Sequence, residues 1–251
     1  MEHHGDNPLK NVVAIIPARY ESVRLPGKML LAIAGKPLIL HTAGQTAKSE
    51  TVSDVIVATD DERILEVVTH AGFEGVMTSK DHRSGSDRIA EVAEGLPQGT
   101  IVVNVQGDEP MISPATIDAA VRAMQESVAD IVTTWEWIEG EETHDPNVVK
   151  VVTDEQGRAL YFSRACIPFN RSEGAAAKIK KHTGLYVYRR EFLLRFRTLP
   201  QTPLEQAEML EQLRALESGA HIKVIEAPEP SIGVDTEADL ARVRFLLAGD
   251  E

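Results

Sequence analysis

Residues 101–110 read IVVNVQGDEP, an apolar run that ends abruptly in glutamine, glycine, two carboxylates and a proline. Such a run is typical of a parallel strand that is buried on both faces. Because an unpaired carboxylate is costly to bury, Asp108 and Glu109 should lie where this strand emerges, at its carboxyl end. Ligands of open α/β sheets bind at that edge, and an aspartate there can hold a divalent metal beside phosphates.

Bulk composition narrows the class of protein. The 251 residues are 43% hydrophobic and 26% charged, so we predict a single α/β domain over 1–251. The net charge of −13 argues against non-specific binding to nucleic acid or to an anionic membrane. The one cysteine, Cys166, can form no intrachain disulfide. With no membrane-spanning apolar stretch and no signal peptide, we expect a cytoplasmic location.

The first half of the chain alternates predicted strands and helices. Short apolar or β-branched runs predict strands at 12–16, 54–59, 76–78 and 101–106. The expected helices are 37–48, one capped by Asp60 or Asp61, one opened by Ser84 or Ser86, and 114–124. Repeated β-α units of this length predict a parallel sheet with helices on both faces.

The second half has a different pattern. Two β-rich runs, 147–152 and 158–163, flank a turn at Gly157 and predict a hairpin. The polar, basic segment 171–181 predicts an exposed loop before a strand at 184–188. We therefore expect an antiparallel, β-rich subregion at about 130–190, added to the nucleotide-binding layer.

Two further helices and a strand are expected near the end of the chain. Apolar residues at helical spacing predict one continuous helix that ends near Gly219: Leu204, Ala207, Leu210 and Leu213. A strand at 221–225 follows, and a final helix begins around Asp235.

A basic loop follows the first predicted strand, at the usual phosphate position of this architecture. Gly27 allows close backbone approach there, and three basic residues can neutralise a triphosphate: Arg19, Arg24 and Lys28. The loop is not a P-loop, because Ser22 and Met29 replace a required glycine and a required Ser or Thr. No G-x-G-x-x-G motif supports a nicotinamide-dependent dehydrogenase. A plain solvated surface is the alternative for these basic residues.

Several motifs in a fixed order resemble those of a known family. They are IPAR at 16–19, RLPGK at 24–28, VQGDEP at 105–110, LYFSR at 160–164, HTG at 182–184, MLEQLR at 209–214 and GVDT at 233–236. In this combination the chain resembles 3-deoxy-manno-octulosonate cytidylyltransferases, also called CMP-Kdo synthetases, from Val12 to about Leu247. The resemblance implies a Rossmann-like, GT-A-like fold: a mixed, mainly parallel sheet flanked by helices, with a smaller antiparallel β-rich addition.

The resemblance also implies a reaction, in which CTP and Kdo give CMP-Kdo and diphosphate for lipopolysaccharide synthesis. It implies Lys28, Asp108 and Asp235 as catalytic residues, with the two aspartates binding Mg²⁺. The implied CTP contacts are Arg19, Arg24, Lys28, Ser84, Gly85, Ser86, Arg88 and Gln106. On the residues alone, Asp235 is also a good N-cap for the last helix, and that alternative stays open.

The sugar acid needs a cation together with hydrogen-bond donors and acceptors. The resemblance implies a Kdo pocket formed by Gln106, Arg164, His182, Tyr186, Glu211 and Gln212. His182 and Tyr186 are four residues apart, so in a strand they would share a face. The competing interpretation is structural: a hydrogen-bonded histidine, a packed tyrosine, and ordinary helix surface at Glu211 and Gln212.

The chain departs from the commoner family pattern at three positions. Residues 81–88 resemble the cytosine-binding segment, but Arg83 stands where glutamine is expected and Ser86 where threonine is expected. Ser84 and Ser86 could equally serve as helix caps. Thr183 replaces a larger apolar residue, and we expect packing to change there before chemistry does.

Two rival functions remain open. One is a related cytidylyltransferase acting on 8-amino-Kdo or an acylneuraminate. The other is a non-catalytic nucleotide-sugar-binding module, against which the Asp108 and Asp235 pair argues, because binding alone requires no metal pair. The resemblance also implies a homodimer through the β-rich half, where Trp135 and Trp137 should pack or contact the other subunit.

Overall fold

The computed structural model describes residues 12–22, 24–82, 84–171 and 178–248. The strands are β1 (Val12–Ala18), β2 (Ala32–Ile33), β3 (Lys36–Pro37), β4 (Asp54–Thr59), β5 (Glu74–Met77), β6 (Ile101–Asn104), β7 (Ile131–Ile138), β8 (Lys150–Thr153), β9 (Ala159–Ser163), β10 (Ile179–Arg189) and β11 (Ile222–Glu226). The α-helices are α1 (Leu38–Thr46), α2 (Glu62–His70), α3 (Gly85–Glu94), α4 (Pro114–Gln125), α5 (Arg190–Thr198), α6 (Pro203–Glu208), α7 (Glu211–Glu217) and α8 (Glu237–Ala248).

Nine strands of this described part form one sheet, in the order β11-β7-β10-β6-β1-β4-β5 with the β8–β9 hairpin at β10. Strands β6, β1, β4 and β5 are parallel to one another. Strand β10 runs antiparallel between β6 and β7, and β11 is parallel to β7. The prediction of a mixed, mainly parallel sheet with an antiparallel addition is confirmed.

Both faces of the sheet are covered, and β1 shows why. All seven of its residues are buried, and they alternate between two cores. Ala14 and Ile16 pack on the side of α1, α2, α4 and α8. Val13 and Ile15 pack on the side of α3, α5 and α7. A strand buried on both faces reads as a continuous apolar run, which is the pattern of residues 12–16 in the sequence.

Helix starts follow the polar residues before them. Asp61 caps α2 by accepting from Arg63 N at 3.0 Å, and Ser84 caps α3 by accepting from Asp87 N at 3.1 Å. The sequence left two candidate caps open for each helix, and the structure selects Asp61 over Asp60 and Ser84 over Ser86. Among the described residues, no helix is both long and apolar enough to cross a membrane.

Two sequence predictions are wrong in detail. The single helix expected from Leu204 to Gly219 is two helices, because Met209 adopts a left-handed backbone with φ of 53° and ends α6. The loop expected at 171–181 also ends early, since Lys180 and Lys181 belong to β10 and pair with β7. Residues 172–177 of that segment lie outside the described residues.

Candidate active site

Two carboxylates from distant parts of the chain contact one lysine. The Lys28 ammonium lies 2.5 Å from Asp108 Oδ2 and 3.2 Å from Asp235 Oδ1. Lys28 lies in a short 3-10 helix after β1, Asp108 follows β6, and Asp235 precedes α8. The Lys28 side chain is only 8% exposed, whereas Asp235 is 54% exposed. The three catalytic candidates of the sequence therefore lie together beyond the carboxyl ends of β1 and β6.

Asp235 does not serve as the cap that its position allowed. At the start of α8, the Asp239 carboxylate accepts hydrogen bonds from the backbone N–H groups of Asp235 and Thr236 at 3.1 and 2.8 Å. The Thr236 hydroxyl in turn accepts from Asp239 N at 3.2 Å. Asp235 Oδ1 instead pairs with Lys28 and with Arg24 Nη2, the latter at 3.0 Å. The carboxylate is thereby left facing the cleft.

The segment that carries Asp235 is tied to the end of β6. Val234 N donates to Asp108 O at 2.8 Å, and the Ser231 hydroxyl donates to the Glu109 carboxylate. Burial raises the pKa of Glu109 to about 7, against the effect of the Ser231 hydrogen bond. The half-buried Glu109 carboxyl thus links the end of β6, where Asp108 lies, to the segment that carries Asp235.

The basic loop owes its shape to Gly27 and Tyr20. Gly27 has φ of +66°, and a Cβ there would lie 3.2–3.3 Å from the Tyr20 ring. Gly27 N also donates to Tyr20 O at 3.3 Å, and the Arg63 guanidinium lies 3.5 Å from the Tyr20 ring centroid. This glycine therefore keeps the loop tightly folded and starts the 3-10 helix that presents Lys28.

The loop forms one wall of a cleft of about 310 Å³. Seven of the eight predicted CTP contacts line it: Arg19, Arg24, Lys28, Ser84, Gly85, Arg88 and Gln106. Gly107, which follows β6, lines this cleft, and a Cβ there would lie 2.8 Å from Pro17 O of β1, so only glycine allows this close approach. The cleft is thus lined by cationic side chains, two carboxylates and the backbone of Gly85 and Gly107.

Arg88 has a supporting arrangement within this wall. Its side chain is 4% exposed, and it donates to Asp60 Oδ2 at 2.7 Å and to Thr78 Oγ1 at 2.5 Å. Asp60 Oδ1 also accepts from Tyr20 N at 3.3 Å. Arg88 therefore joins α3 to the basic loop through Asp60, a connection that the sequence did not reveal.

His82 was not among the predicted site residues, yet it lines the same cleft. Its Nε2 contacts the Glu91 carboxylate on α3. Burial acts to raise the pKa of Glu91, but hydrogen bonds from His82 and Ser79 N lower it overall. The only sequence signal was its place in the DHRSGSDR segment. Arg83, the departure in that segment, lies outside the described residues.

A second cavity of about 230 Å³ adjoins the cleft, and Gly85 and Gln106 line both. Its polar lining consists of Ser86, Asn104, Gln106, Tyr186, Tyr188, Glu211 and Gln212. Ser86, predicted to contact CTP, faces this second cavity rather than the cleft. Hydroxyl, amide and carboxylate groups in one cavity suit a ligand that carries several hydroxyls.

Two of the predicted sugar-pocket residues, Arg164 and His182, lie outside that lining. The Arg164 guanidinium donates from Nε to Glu208 O at 2.8 Å and from Nη1 to Pro146 O at 2.9 Å. It thus holds the Glu208 carbonyl at the C-terminal end of α6, next to the Met209 that does line the cavity. Arg164 therefore supports a residue that lines the cavity and does not itself line it.

His182 and Tyr186 share a face, as predicted, with ring centroids 5.2 Å apart. A bulge in β10 separates them, and the Phe162 ring contacts His182 edge-on at 5.1 Å. Burial lowers the pKa of His182 to about 3. Because the Thr133 hydroxyl donates to Leu185 O at 2.7 Å, His182 Nε2 donates to Thr133 Oγ1 at 2.9 Å.

The chain is also similar to known proteins. Residues 13–224 match the family model described as cytidylyltransferase. A 3-deoxy-manno-octulosonate cytidylyltransferase from Geobacter sulfurreducens is 50% identical over 246 residues, which cover 93% of this chain and 98% of that protein. The protein of the same name from Geotalea uraniireducens is 51% identical over 245 residues, covering 92% of this chain and 97% of that protein.

A solved structure gives the same result. It is described as CMP:2-keto-3-deoxy-manno-octonic acid synthetase complexed with CTP, and it is 42% identical to this chain. The TM-score is 0.92, with 96% of this chain and 100% of the other covered. The chain therefore belongs to the cytidylyltransferase family, among the 3-deoxy-manno-octulosonate cytidylyltransferases.

Proposed function

We propose that this chain transfers CMP from CTP to Kdo and releases diphosphate, thereby activating the sugar acid for lipopolysaccharide synthesis. The observation that carries the proposal is the pairing of two adjoining sites. A cationic cleft contains Lys28, Asp108 and Asp235, and a polar cavity opens beside it. Gln106 lines both, so a nucleotide in one site and a sugar in the other would meet at this residue.

The reaction needs little covalent chemistry from the protein. The anomeric hydroxyl of Kdo attacks the α-phosphorus, a new P–O bond forms, and the bond to the diphosphate oxygen breaks as the hydroxyl loses its proton. Arg19, Arg24 and Lys28 would hold the triphosphate and neutralise charge on the departing diphosphate. Holding both substrates across the shared wall supplies proximity and alignment.

Asp108 and Asp235 fit a magnesium ion by their chemistry. Both are carboxylates at the cleft, and they already converge on a cation, the Lys28 ammonium. A bound Mg²⁺ would polarise phosphate oxygens and lower the pKa of the sugar hydroxyl. Lys28 lies next to both aspartates. If Mg²⁺ neutralised the two carboxylates in its place, the Lys28 ammonium would be free to interact with the triphosphate.

The second cavity is the proposed Kdo site. Glu211, Gln212 and Gln106 would bind the sugar hydroxyls, and Tyr186 would form an aromatic wall. Arg164 and His182 would support this site from outside its lining, by fixing the end of α6 and the β10 bulge. A carboxylate of Kdo would be drawn toward the cations on the cleft side.

We further propose a homodimer and a cytoplasmic location. Among the described residues of the β-rich subregion of about 130–190, three large apolar side chains are well exposed: Trp137 at 46%, Leu160 at 60% and Phe169 at 86%. Exposed apolar side chains in one region favour a subunit contact there. A cytoplasmic location follows from the CTP that the proposed reaction consumes.

A substrate panel tests the function. Diphosphate release is measured for CTP, UTP, ATP and GTP with Kdo, 8-amino-Kdo and sialic acid, with and without Mg²⁺. We expect release with CTP, Kdo and Mg²⁺ together. Faster release with 8-amino-Kdo or sialic acid would assign the related specificity instead. No release with any combination, despite measurable CTP binding, would favour a non-catalytic binding module.

A further inference from the structure

Arg214 lies behind the second cavity and contacts two carboxylates. Its Nη2 donates to Glu211 Oε1 at 3.1 Å, and its Nε lies 3.4 Å from Glu205 Oε2. Nη1 donates to Leu199 O at 3.1 Å, and the guanidinium lies 4.4 Å from the Phe196 ring centroid. With 8% of its side chain exposed, Arg214 is held by partners on three sides and lines neither cavity.

Glu211, the partner of Arg214, joins two helices across the cavity. Its Oε2 accepts a hydrogen bond from the Ser86 hydroxyl on α3 at 3.0 Å, while Oε1 is bound by Arg214 on α7. Gly85, next to Ser86, lines both the cleft and the cavity. The orientation of this one carboxylate therefore depends on Arg214 at the point where the two sites join.

The geometry suits an arginine. A planar guanidinium presents several donors in fixed directions, so Arg214 can donate to Glu211 while it lies within ion-pair distance of Glu205 and over the Phe196 ring. The break at Met209 places Glu211 in the first turn of α7 and Arg214 one turn later, at i, i+3 spacing. Burial raises the pKa of Glu211, and the hydroxyls of Ser84 and Ser86 and the charge of Arg214 act against that increase.

We propose, on the basis of the function proposed above, that Arg214 is a positioning residue that orients the Glu211 carboxylate toward the hydroxyls of the sugar acid. Arg214 touches no substrate and acts through Glu211. A lysine at this position would keep the charge but could not hold both carboxylates in the same orientation.

The test compares KM for Kdo, KM for CTP and thermal stability in five variants: Arg214→Gln, Arg214→Lys, Glu211→Gln, the Arg214→Gln/Glu211→Gln double variant and Glu205→Gln. Losing one charge-assisted hydrogen bond should raise KM for Kdo about tenfold in Arg214→Gln, while KM for CTP changes less than about twofold. The double variant should be no worse for Kdo than Glu211→Gln alone. Arg214→Lys should fold and show an intermediate KM for Kdo.

Glu205→Gln is the matched control, because it removes the other carboxylate partner of Arg214 and leaves its contact with Glu211. It should lower the melting temperature without changing KM for Kdo. The inference is overturned if Arg214→Gln, or Arg214→Lys where the first does not fold, leaves KM for Kdo unchanged. Equal KM changes in Glu205→Gln would also overturn it. A wild-type chain that releases no diphosphate with Kdo would instead overturn the proposed function, and this inference with it.

Discussion

Asp108 and Asp235 share one ammonium, which lies 2.5 Å from the first carboxylate and 3.2 Å from the second. Two carboxylates this close would repel each other, and Lys28 removes that cost in the protein alone. We propose that the same arrangement allows Lys28 to exchange its partners. A divalent cation arriving with CTP would compensate the two aspartates and leave Lys28 to the triphosphate.

Neutralising either aspartate should lower turnover much more than stability. For Asp108→Asn and Asp235→Asn we expect kcat to fall at least about 100-fold, because the charge that balances the transition state is lost. The free energy of unfolding should fall by less than about 2 kcal/mol for Asp235→Asn, since that side chain is 54% exposed. Steady-state kinetics across a magnesium titration and urea unfolding measure both quantities.

The matched control for these substitutions is Glu237→Gln, an exposed carboxylate in the first turn of α8. It makes the same chemical change two residues from Asp235 and should leave kcat unaltered. Near-normal turnover of Asp235→Asn at limiting magnesium would contradict its role as a metal ligand.

Gly27→Ala should weaken CTP binding. The alanine would adopt φ of +66° and place its Cβ 3.2–3.3 Å from the Tyr20 ring, so the basic loop must shift. We expect a stability loss of about 1–2 kcal/mol and a rise in KM for CTP. Gly35→Ala controls for the backbone cost, because Gly35 has φ of +74° with open space around its Cβ position. An equal rise in KM for CTP in Gly35→Ala would show that backbone strain at a glycine, and not the contact with Tyr20, weakens CTP binding.

The strands were the part of the fold that the sequence predicted best. Residues 54–59 form β4 with the predicted bounds. A short apolar run between polar residues buries both of its faces when it is a strand of a parallel sheet covered by helices on both sides. The hairpin of β8 and β9 was also predicted correctly, from its turn chemistry. Strand β10 was predicted too short, since its first half carries basic residues that usually indicate a loop.

The helix break at Met209 could not be read from periodicity. Apolar spacing continues through the break, while a left-handed methionine has no signature of its own in the sequence. A local signal did exist at the other end, where Thr202 and Glu205 form a capping box that starts α6. Arg164 donates to Glu208 O at that end of α6, a tertiary contact that periodicity does not encode.

The site was only partly predictable from local pattern. The edge of the sheet and Asp108 followed from the burial argument, but Asp235 joined the site only through family resemblance, since its local pattern also fitted a helix cap. His82 was not among the predicted site residues, and Glu109 was predicted to lie at the end of the strand but without a partner. Their partners, Glu91 and Ser231, lie elsewhere in the sequence, and spacing carries no information about such contacts.

Arg164→Ala should affect Kdo more than CTP. Removing the guanidinium takes a donor from the part-buried Glu208 O, which should cost about 1 kcal/mol and loosen the end of α6 beside the second cavity, whereas water can replace the donor at the exposed Pro146 O. We expect a larger rise in KM for Kdo than for CTP. Arg242→Ala, an exposed arginine on α8, controls for loss of charge. Equal effects of Arg164→Ala on both substrates would argue against this assignment.

The lowered pKa of the half-buried His182 should make the protein sensitive to acid. Burial lowers the pKa of His182 to about 3, compared with about 6.5 in an unfolded chain, so between these values the unfolded state binds the extra proton. This contribution to stability is complete above pH 6.5 and is lost as the pH falls, by at most about 1.4 kcal/mol per pH unit. His182→Gln removes the titrating group and keeps a donor for Thr133, so its stability should fall less between pH 7 and pH 5, as urea unfolding at each pH would measure. The control for this substitution is His70→Gln, which changes an exposed histidine on α2. If the free energy of unfolding of wild type and of His182→Gln changed with pH in parallel, His182 would not be held neutral by burial.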